Sequence, residues 1–525
     1  MEIRTAGVVG LGTMGAGIVE VFARAGLEVV AVEIDDALLA AGQKRLTGSL
    51  GKAVDRGKLD AGERDTILGR VEFTTDRGAL SRADLVTEAV PERLEIKTAL
   101  FADLDAICPP DTILATNTSS LPVTRIATAT GRADRVVGMH FFNPAPVMRL
   151  VEVVHTVRTD PEATAAVRAL AERCGKTPVV VADRAGFVAN ALLFGYLNAA
   201  ARAAETGQAA VADIDAAIVA ACGLPMGPLT LMDLIGLDVS LDVMETMFEE
   251  TRDQRYAPAP LLRRLVMAGD LGRKTGRGYY RYDVGEPVAS LPAPDFATGS
   301  SRSTANVVMV ASSASALHAA MPGLDLVEPD KTADADVVII DASSRAASAE
   351  LLARVIRVTK AGAVIGAATT DEAPVLAMTA GIADRGYIVG VHLPHSPRGG
   401  VIEVVATLHS HPDAVATVVA AARDAGLAAI ACRDRPGHIV DFLVLPHLGD
   451  AVRMVDDGYA GTSDVDVAMR LGCGYPDGPF AMLAAVGADD ARSVLAHLAA
   501  ATHLPSLAPC ALLDELAAAG PDSSP

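Results

Sequence analysis

The opening segment constrains the fold most: Ala6-Gly7-Val8-Val9 reads as a buried strand, and Gly10, Gly12 and Gly15 follow it in GxGxxG spacing. Ile18, Val21 and Phe22 then recur at helical intervals. A strand that runs through three such glycines straight into a helix builds a dinucleotide-binding turn. Gly10 permits the tight turn, Gly12 lets a pyrophosphate approach the backbone, and Gly15 lets helix and strand pack closely. Thr13 and Met14 belong to the same loop and count as cofactor contacts with it. A second strand, Glu28 to Val32, ends in Glu33. An acid about 20 residues beyond the glycines binds the ribose 2′-hydroxyl of NAD and repels the extra phosphate of NADP.

Further strands are predicted in Ala83 to Glu92, Thr112 to Ala115 and Val136 to Pro144, alternating with helical stretches. That alternation predicts a doubly wound parallel α/β sheet of Rossmann type, whose ligands bind beyond the strand C-termini. Ser119, His140 and Asn143 all fall on that rim, and Asn117 counts among the cofactor contacts. Hydride transfer from an alcohol needs a base for the hydroxyl proton, and a histidine with an ordinary pKa of about 6.5 suits neutral pH. His140 is the candidate, and Glu152, which interrupts the apolar run Leu150 to Val154, is the carboxylate that would hold its other ring nitrogen.

The chain carries 45 Lys and Arg against 65 Asp and Glu, a formal net charge of −20. Such an excess disfavours nucleic acid and anionic membranes as partners. Against it stands a local patch, Lys44, Arg45, Lys52, Arg56 and Lys58 with only Asp55 opposed, which suits the phosphates of a nucleotide-tailed substrate such as coenzyme A or, equally, a solvated helical hairpin. Six scattered cysteines without CxxC pairs read as reduced thiols, and no metal is expected. The first residues lack the pattern of a secretory signal and no stretch reads as a membrane span, so a cytoplasmic location is expected.

GVVGLGTMGAGI, ADLVTEAVPE, TNTSSLPVTRIA, GMHFFNPAPVMRLVEVV, DRAGFVAN and GLPMGPLTLMDLIGLD, in this order, closely resemble the L-3-hydroxyacyl-CoA dehydrogenase family over residues 1 to 283. The resemblance implies NAD-dependent, reversible oxidation of an (S)-3-hydroxyacyl-CoA. It implies His140 as general base, Glu152 as its orienting partner, and Ser119 and Asn190 as holders of the reacting oxygens. It also implies that Glu33, Glu92, Lys97 and Asn143 line the NAD site and that Ser49, Lys52 and Arg56 touch the CoA tail. Two rivals stand beside it: a β-hydroxyacid dehydrogenase acting on free acids, disfavoured by HFFNP and the downstream Glu, and a non-catalytic protein that retains NAD affinity.

After Asn190 the periodicity turns helical, with helices expected at Ala191 to Glu205, Val211 to Cys222 and Leu231 to Glu250. Residues 284 to 304, rich in Pro, Gly and Ser, read as a flexible connector. Beyond it the chain repeats: Asp183 to Pro228 aligns without a gap on Asp434 to Pro479, with 17 of 46 positions identical. Val391-His392 corresponds to Met139-His140, and Glu403 falls close to the counterpart of Glu152. The expected domains are 1–185 NAD-binding, 186–283 all-α, 284–304 linker, 305–433 degenerate Rossmann-like and 434–525 a second all-α domain.

The copy loses what the chemistry needs. Its three glycines become Ala311, Ser313 and Ala316, the Ser119 position becomes Asp371 and Asn190 becomes Asp441. Little dinucleotide affinity and no catalysis are expected there, with His392 and Glu403 left as relics or structural residues. In the resembling family the helical domain forms the homodimer interface. Here the second helical domain is therefore expected to mimic that partner within one chain, as in the bacterial members with an extra C-terminal helical domain, with further homodimerisation left open.

Overall fold

The structure, a computed structural model, describes residues 2–520 apart from 284, 303, 305, 312–314, 343–344, 370–374, 380–381 and 383–384. Ser313 and Asp371 thus lie outside the described residues. The chain forms two compact units, Met1–Ala191 with Glu249–Thr251 and Asp457–Gly478, and Leu192–Phe248 with Arg252–Asp456 and Pro479–Pro525.

In the first unit, β1 (Thr5–Val9) leads into α1 (Thr13–Arg24), and β2 (Glu28–Val32) into a helical hairpin of α2 (Asp36–Asp55) and α3 (Ala61–Gly69). Then follow β3 (Val71–Thr74), β4 (Leu85–Glu88), α4 (Leu94–Ile107), β5 (Ile113–Thr116), α5 (Val123–Ala127) and β6 (Val136–Phe141). Strand β7 (Leu150–His155), α6 (Pro161–Arg173) and β8 (Thr177–Ala182) complete the sheet, in the order β3-β2-β1-β4-β5-β6-β7-β8. All neighbours are parallel except β6 and β7, which pair antiparallel with His140 opposite Glu152. Helices cover both faces, which is why the central strands read as unbroken apolar runs rather than alternating ones. Every residue of β6 is buried.

The first unit also contains the helix Thr462–Cys473. It packs on β7 and β8, and a Cβ at Gly472 would stand 2.6 Å from Leu150 and 3.1 Å from Phe142. At its approach, Asp457 pairs with Arg184 at 3.3 Å, and the Arg184 guanidinium lies 5.5 Å over the Tyr459 ring.

In the second unit, most of α7 (Ala189–Glu205) precedes α8 (Val211–Cys222). The single helix expected over Leu231 to Glu250 is two helices, Pro228–Ile235 and Leu237–Thr251, broken at Gly236, whose φ of +105° no helix tolerates. The expected connector is docked rather than free: β9 (Tyr280–Arg281) pairs with β10 (Val288–Ala289), and Ser300 N–H donates to Asp413 at 3.0 Å.

A further sheet follows from β11 (Val307–Val310), β12 (Asp325–Leu326), β13 (Val337–Ile340), β14 (Val364–Ala368), β15 (Ile388–His392), β16 (Val401–Ala406) and β17 (Ala428–Arg433). Among the described residues its order is β12-β11-β13-β14-β15-β16-β17, the order of the first sheet without a counterpart of β3. Its β15 and β16 pair antiparallel, with His392 opposite Glu403. Helix α8 lies against β17, where Arg433 N–H donates to Gln208 O at 2.8 Å. Among the described residues no helix is long and apolar enough to cross a membrane.

Candidate active site

The glycine turn has the shape its sequence demands. Gly10 sits at φ +89°, and a Cβ on Gly15 would fall 1.7 Å from Gly10 O, so neither tolerates a side chain. Around Gly12 a Cβ would meet nothing within 4 Å: this backbone is open for a ligand, and Gly12 and Thr13 are exposed while Met14 is half-buried. No side chain caps the N-terminus of α1, so its first N–H groups and helix dipole face that opening. Glu33, at the end of β2, accepts from Leu11 N–H at 2.6 Å and Ile34 N–H at 2.9 Å, which fixes its carboxylate beside the turn.

On the rim between β4 and β6, side chains are tied end to end. His140, 6% exposed at the end of β6, brings Nδ1 to 2.7 Å from Glu152 Oε2 on β7. Glu152 is fully buried, and its other oxygen accepts from Val188 N–H and Ala189 N–H, each at 3.0 Å. Those two amides open α7, so the carboxylate also anchors the turn that presents Asn190. Asn190 Nδ2 donates to Ser119 O at 3.2 Å, which joins α7 to the loop after β5. The sequence-nominated Ser119, His140, Glu152 and Asn190 therefore lie in one bonded chain. With Nδ1 engaged by a carboxylate, the imidazole keeps Nε2 for a substrate. The Phe142 and Phe187 rings flank it at centroid distances of 4.6 and 5.7 Å.

A second network holds the same loop from beneath. Glu92 Oε1 accepts from Thr118 Oγ1 at 2.6 Å, Ser119 N–H at 2.8 Å and Ser120 N–H at 3.2 Å. Burial alone would raise the Glu92 pKa, but Lys97 and these donors outweigh it and hold the carboxyl below its ordinary value. Lys97, expected to line the NAD site, is 1% exposed, its ammonium 2.7 and 2.9 Å from Glu88 and 3.2 Å from Glu92. A buried ammonium needs such counter-charges, and the pair fixes Glu92 beneath the loop. Sequence reading missed Glu88, which is fully buried at the end of β4 and also accepts from Val90 N–H at 3.0 Å. The Asp-to-Glu run at that strand end was its only signal. Asn117 Oδ1 accepts from Phe141 N–H at 2.9 Å and so ties β5 to β6, while Asn143 is exposed just beyond.

Ser49, Lys52 and Arg56 stand apart from this rim, all exposed along α2 and its C-cap. With Arg45 they follow helical spacing on one face. Among the described residues, no carboxylate pairs with Lys44, Arg45, Lys52, Arg56 or Lys58.

Comparison with known proteins fits this geometry. The family profile described as 3-hydroxyacyl-CoA dehydrogenase, NAD binding domain, matches residues 5–184, and the C-terminal domain profile of that family matches residues 186–282 and 437–522. The 3-hydroxybutyryl-CoA dehydrogenase of Mycobacterium tuberculosis is 50% identical over 282 residues, 53% of this chain and 99% of its own length. The 3-hydroxyadipyl-CoA dehydrogenase of Escherichia coli K12 is 34% identical over 519 residues, 98% of both chains. The crystal structure of 3-hydroxybutyryl-CoA dehydrogenase from Escherichia coli K12 superposes with a TM-score of 0.79 over 99% of both chains, at 32% identity. Sequence, glycine turn and histidine–carboxylate rim agree: this chain belongs to the 3-hydroxyacyl-CoA dehydrogenase family and is an NAD-dependent oxidoreductase.

Proposed function

We propose that the chain oxidises short-chain or dicarboxylic (S)-3-hydroxyacyl-CoA reversibly to 3-oxoacyl-CoA, and that one site, on the first sheet, does the chemistry. The observation that carries this is the bonded chain His140–Glu152–α7–Asn190–Ser119 beside an open glycine turn. Gly10, Gly12, Thr13, Met14 and Gly15 would hold the pyrophosphate, Glu33 the ribose, and Glu92, Asn117 and Asn143 the rim nearer the reacting end. Bound NAD supplies the hydride-accepting chemistry. His140 Nε2 takes the hydroxyl proton, and Glu152 keeps the ring oriented and stabilises the imidazolium that results. The Ser119 hydroxyl and the Asn190 amide donate to the oxygens on which charge collects. Ser49, Lys52 and Arg56 meet the CoA phosphates; with Arg45 they form a cationic face to which no carboxylate among the described residues is paired, in a chain of net −20.

The domain reading assigns 1–185 to the cofactor, 186–283 and 434–525 to paired helical domains, 284–304 to a connector and 305–433 to a degenerate copy of the first sheet. Matching strand orders support the copy. Ala311 and Ala316 at the former glycine positions, and Asp441 for Asn190, argue that it lost the dehydrogenase reaction. Helix contacts such as Tyr196 with His447, ring centroids 5.4 Å apart, support an intramolecular pseudo-dimer. Six free thiols suit a cytoplasmic protein. We expect no nucleic-acid or membrane partner.

The test is NADH oxidation on acetoacetyl-CoA by the wild type, His140→Ala and His392→Ala, with NADH binding measured for each. Turnover lost in His140→Ala alone, with binding intact, is the expected result. A wild type inactive on this and on longer 3-oxoacyl-CoAs would overturn the reading in favour of a binding protein. Loss in a folded His392→Ala would show that the second half takes part in the reaction.

A further inference from the structure

The second sheet carries a buried polar cluster for which hydride transfer has no use. At the end of β15, His392 Nδ1 lies 2.8 Å from Glu403 Oε2, and Glu403 Oε1 accepts from Ile439 N–H and Val440 N–H at 2.9 and 3.0 Å. This repeats the His140–Glu152 arrangement bond for bond. The surroundings do not repeat. Where the first site has Asn143, Phe187 and Asn190, the corresponding positions hold His395, His438 and Asp441. Each replacement substitutes a metal-ligating side chain for one that rarely ligates.

The ligand atoms converge. Asp441 Oδ2 lies 2.9 Å from His395 Nδ1 and 3.7 Å from His392 Nε2. The other Asp441 oxygen accepts from His395 N–H at 2.9 Å, which fixes the carboxylate. His438 stacks at 4.3 Å between ring centroids from His392, and His392, Glu403 and His438 each offer a ligand atom within 4.8 Å of the others. His392, His438, Glu403 and Asp441 are all buried, whereas the His395 side chain is 34% exposed and leaves a way in.

We propose that this cluster binds one divalent transition-metal ion, zinc by preference, through His392 Nε2, Asp441 Oδ2 and the imidazoles of His395 and His438. Ligands about 2.0–2.2 Å from a tetrahedral zinc stand roughly 3.3–3.5 Å from one another, a spacing that the observed 2.9 and 3.7 Å bracket. Glu403 plays the part of the carboxylate behind a metal-bound histidine: it holds Nδ1, and Nε2 is turned toward Asp441 Oδ2, 3.7 Å away. Imidazoles with a single carboxylate are a donor set suited to zinc and unsuited to calcium or magnesium, which prefer all-oxygen shells. A cation there also offsets the cost of enclosing Asp441. On this reading the copy exchanged a hydrogen-bonding oxyanion site for a metal site and kept the orienting pair. The inference does not depend on the dehydrogenase assignment, since every group lies in the second unit.

The experiment uses the full-length protein without a histidine tag, stripped with a chelator and titrated with zinc alone against a chromophoric competitor. His395→Asn and Asp441→Asn, which install the residue type of the first site, are carried in parallel, together with His140→Ala. We expect one zinc per wild-type chain, at least tenfold weaker binding in both asparagine variants, and no change in His140→Ala. Dehydrogenase turnover should persist in His395→Asn and Asp441→Asn, which reports that they fold. Cobalt in place of zinc should give the visible absorption of a four-coordinate nitrogen and oxygen site in the wild type alone. A wild type that takes up no stoichiometric zinc, variants that bind it as tightly as wild type, or loss of binding in His140→Ala would each overturn the assignment. Should Asp441→Asn fail to fold, the half-exposed His395→Asn decides.

Discussion

Glu152 divides its two oxygens between His140 and the first amides of α7, so one buried carboxylate sets both the tautomer of the base and the placement of Asn190. Glu152→Gln would turn an amide N–H toward His140 or release the α7 amides, since a neutral amide cannot accept on both sides. We expect kcat to fall by about 10²–10⁴-fold with NADH affinity within a small factor of wild type, checked by steady-state kinetics and fluorescence titration. Asn190→Asp, which installs the residue of the second half, removes a donor and adds negative charge where oxygen becomes negative. Its expected cost is about 10²–10³-fold in kcat, and near-normal turnover would rule out a role for Asn190 at the reacting oxygen. His140 and Glu152 are legible from the residues, a histidine at a strand end and an acid interrupting an apolar strand, whereas the roles of Ser119 and Asn190 came through the family resemblance. Lys97 could not be placed that way: only the folded chain encloses its ammonium between Glu88 and Glu92.

At the scale of elements, α2 shows what spacing alone reveals. Arg45, Ser49, Lys52 and Arg56 follow one another at helical intervals of three or four residues, and the helix does form with them exposed. Lys52→Ala combined with Arg56→Ala should raise KM for acetoacetyl-CoA about tenfold while leaving kcat nearly unchanged. The wild-type KM should climb with salt and that of the double variant much less, because screening removes what the substitutions already removed. An unchanged KM would leave this face an ordinary solvated one. The break at Gly236 was not legible, because the apolar period runs through it and only a φ of +105° reveals the turn.

The whole molecule couples distant stretches of chain. The helix Thr462–Cys473 rests on β7, the strand of Glu152, and Gly472 touches Leu150 and Phe142, whose ring flanks His140. Gly472→Leu should therefore cost about 1–3 kcal/mol by overpacking and lower turnover several-fold, although residue 472 is remote in sequence from the site. Thermal melting and kinetics on the same sample test this, and wild-type values for both would refute the coupling. The pH dependence of stability also belongs to this scale. Burial pushes the Asp213 and Asp233 carboxyls up to about 6, against the opposing pull of Arg423 on Asp213 and of the Tyr280 and Tyr279 amides on Asp233. Between the ordinary value of about 3.9 and 6 the folded state binds more protons, so these two groups cost stability as pH rises through that window. Glu92 acts oppositely: its contribution is present above its ordinary value and is lost as pH falls through its lowered folded value. Together these groups place the melting-temperature maximum near pH 4, and Asp233→Asn should flatten the decline from about pH 4 to 6, read as melting temperature against pH.

The sequence by itself determined the first sheet, its glycine turn, the cofactor, the histidine–glutamate pair and the existence of a repeat. Each of these rests on local signals, a steric demand at glycine or a residue type at a strand end, that neighbours in the chain suffice to express. Only the tertiary structure decided that Lys97 is enclosed, that residues 462–473 complete the packing on the first sheet, and that Asp441 and His438 meet His392 while His395 meets Asp441. Those outcomes depend on strand order and on which helix lies against which sheet. They arise from contacts between residues far apart in the chain, whose energies no local pattern records.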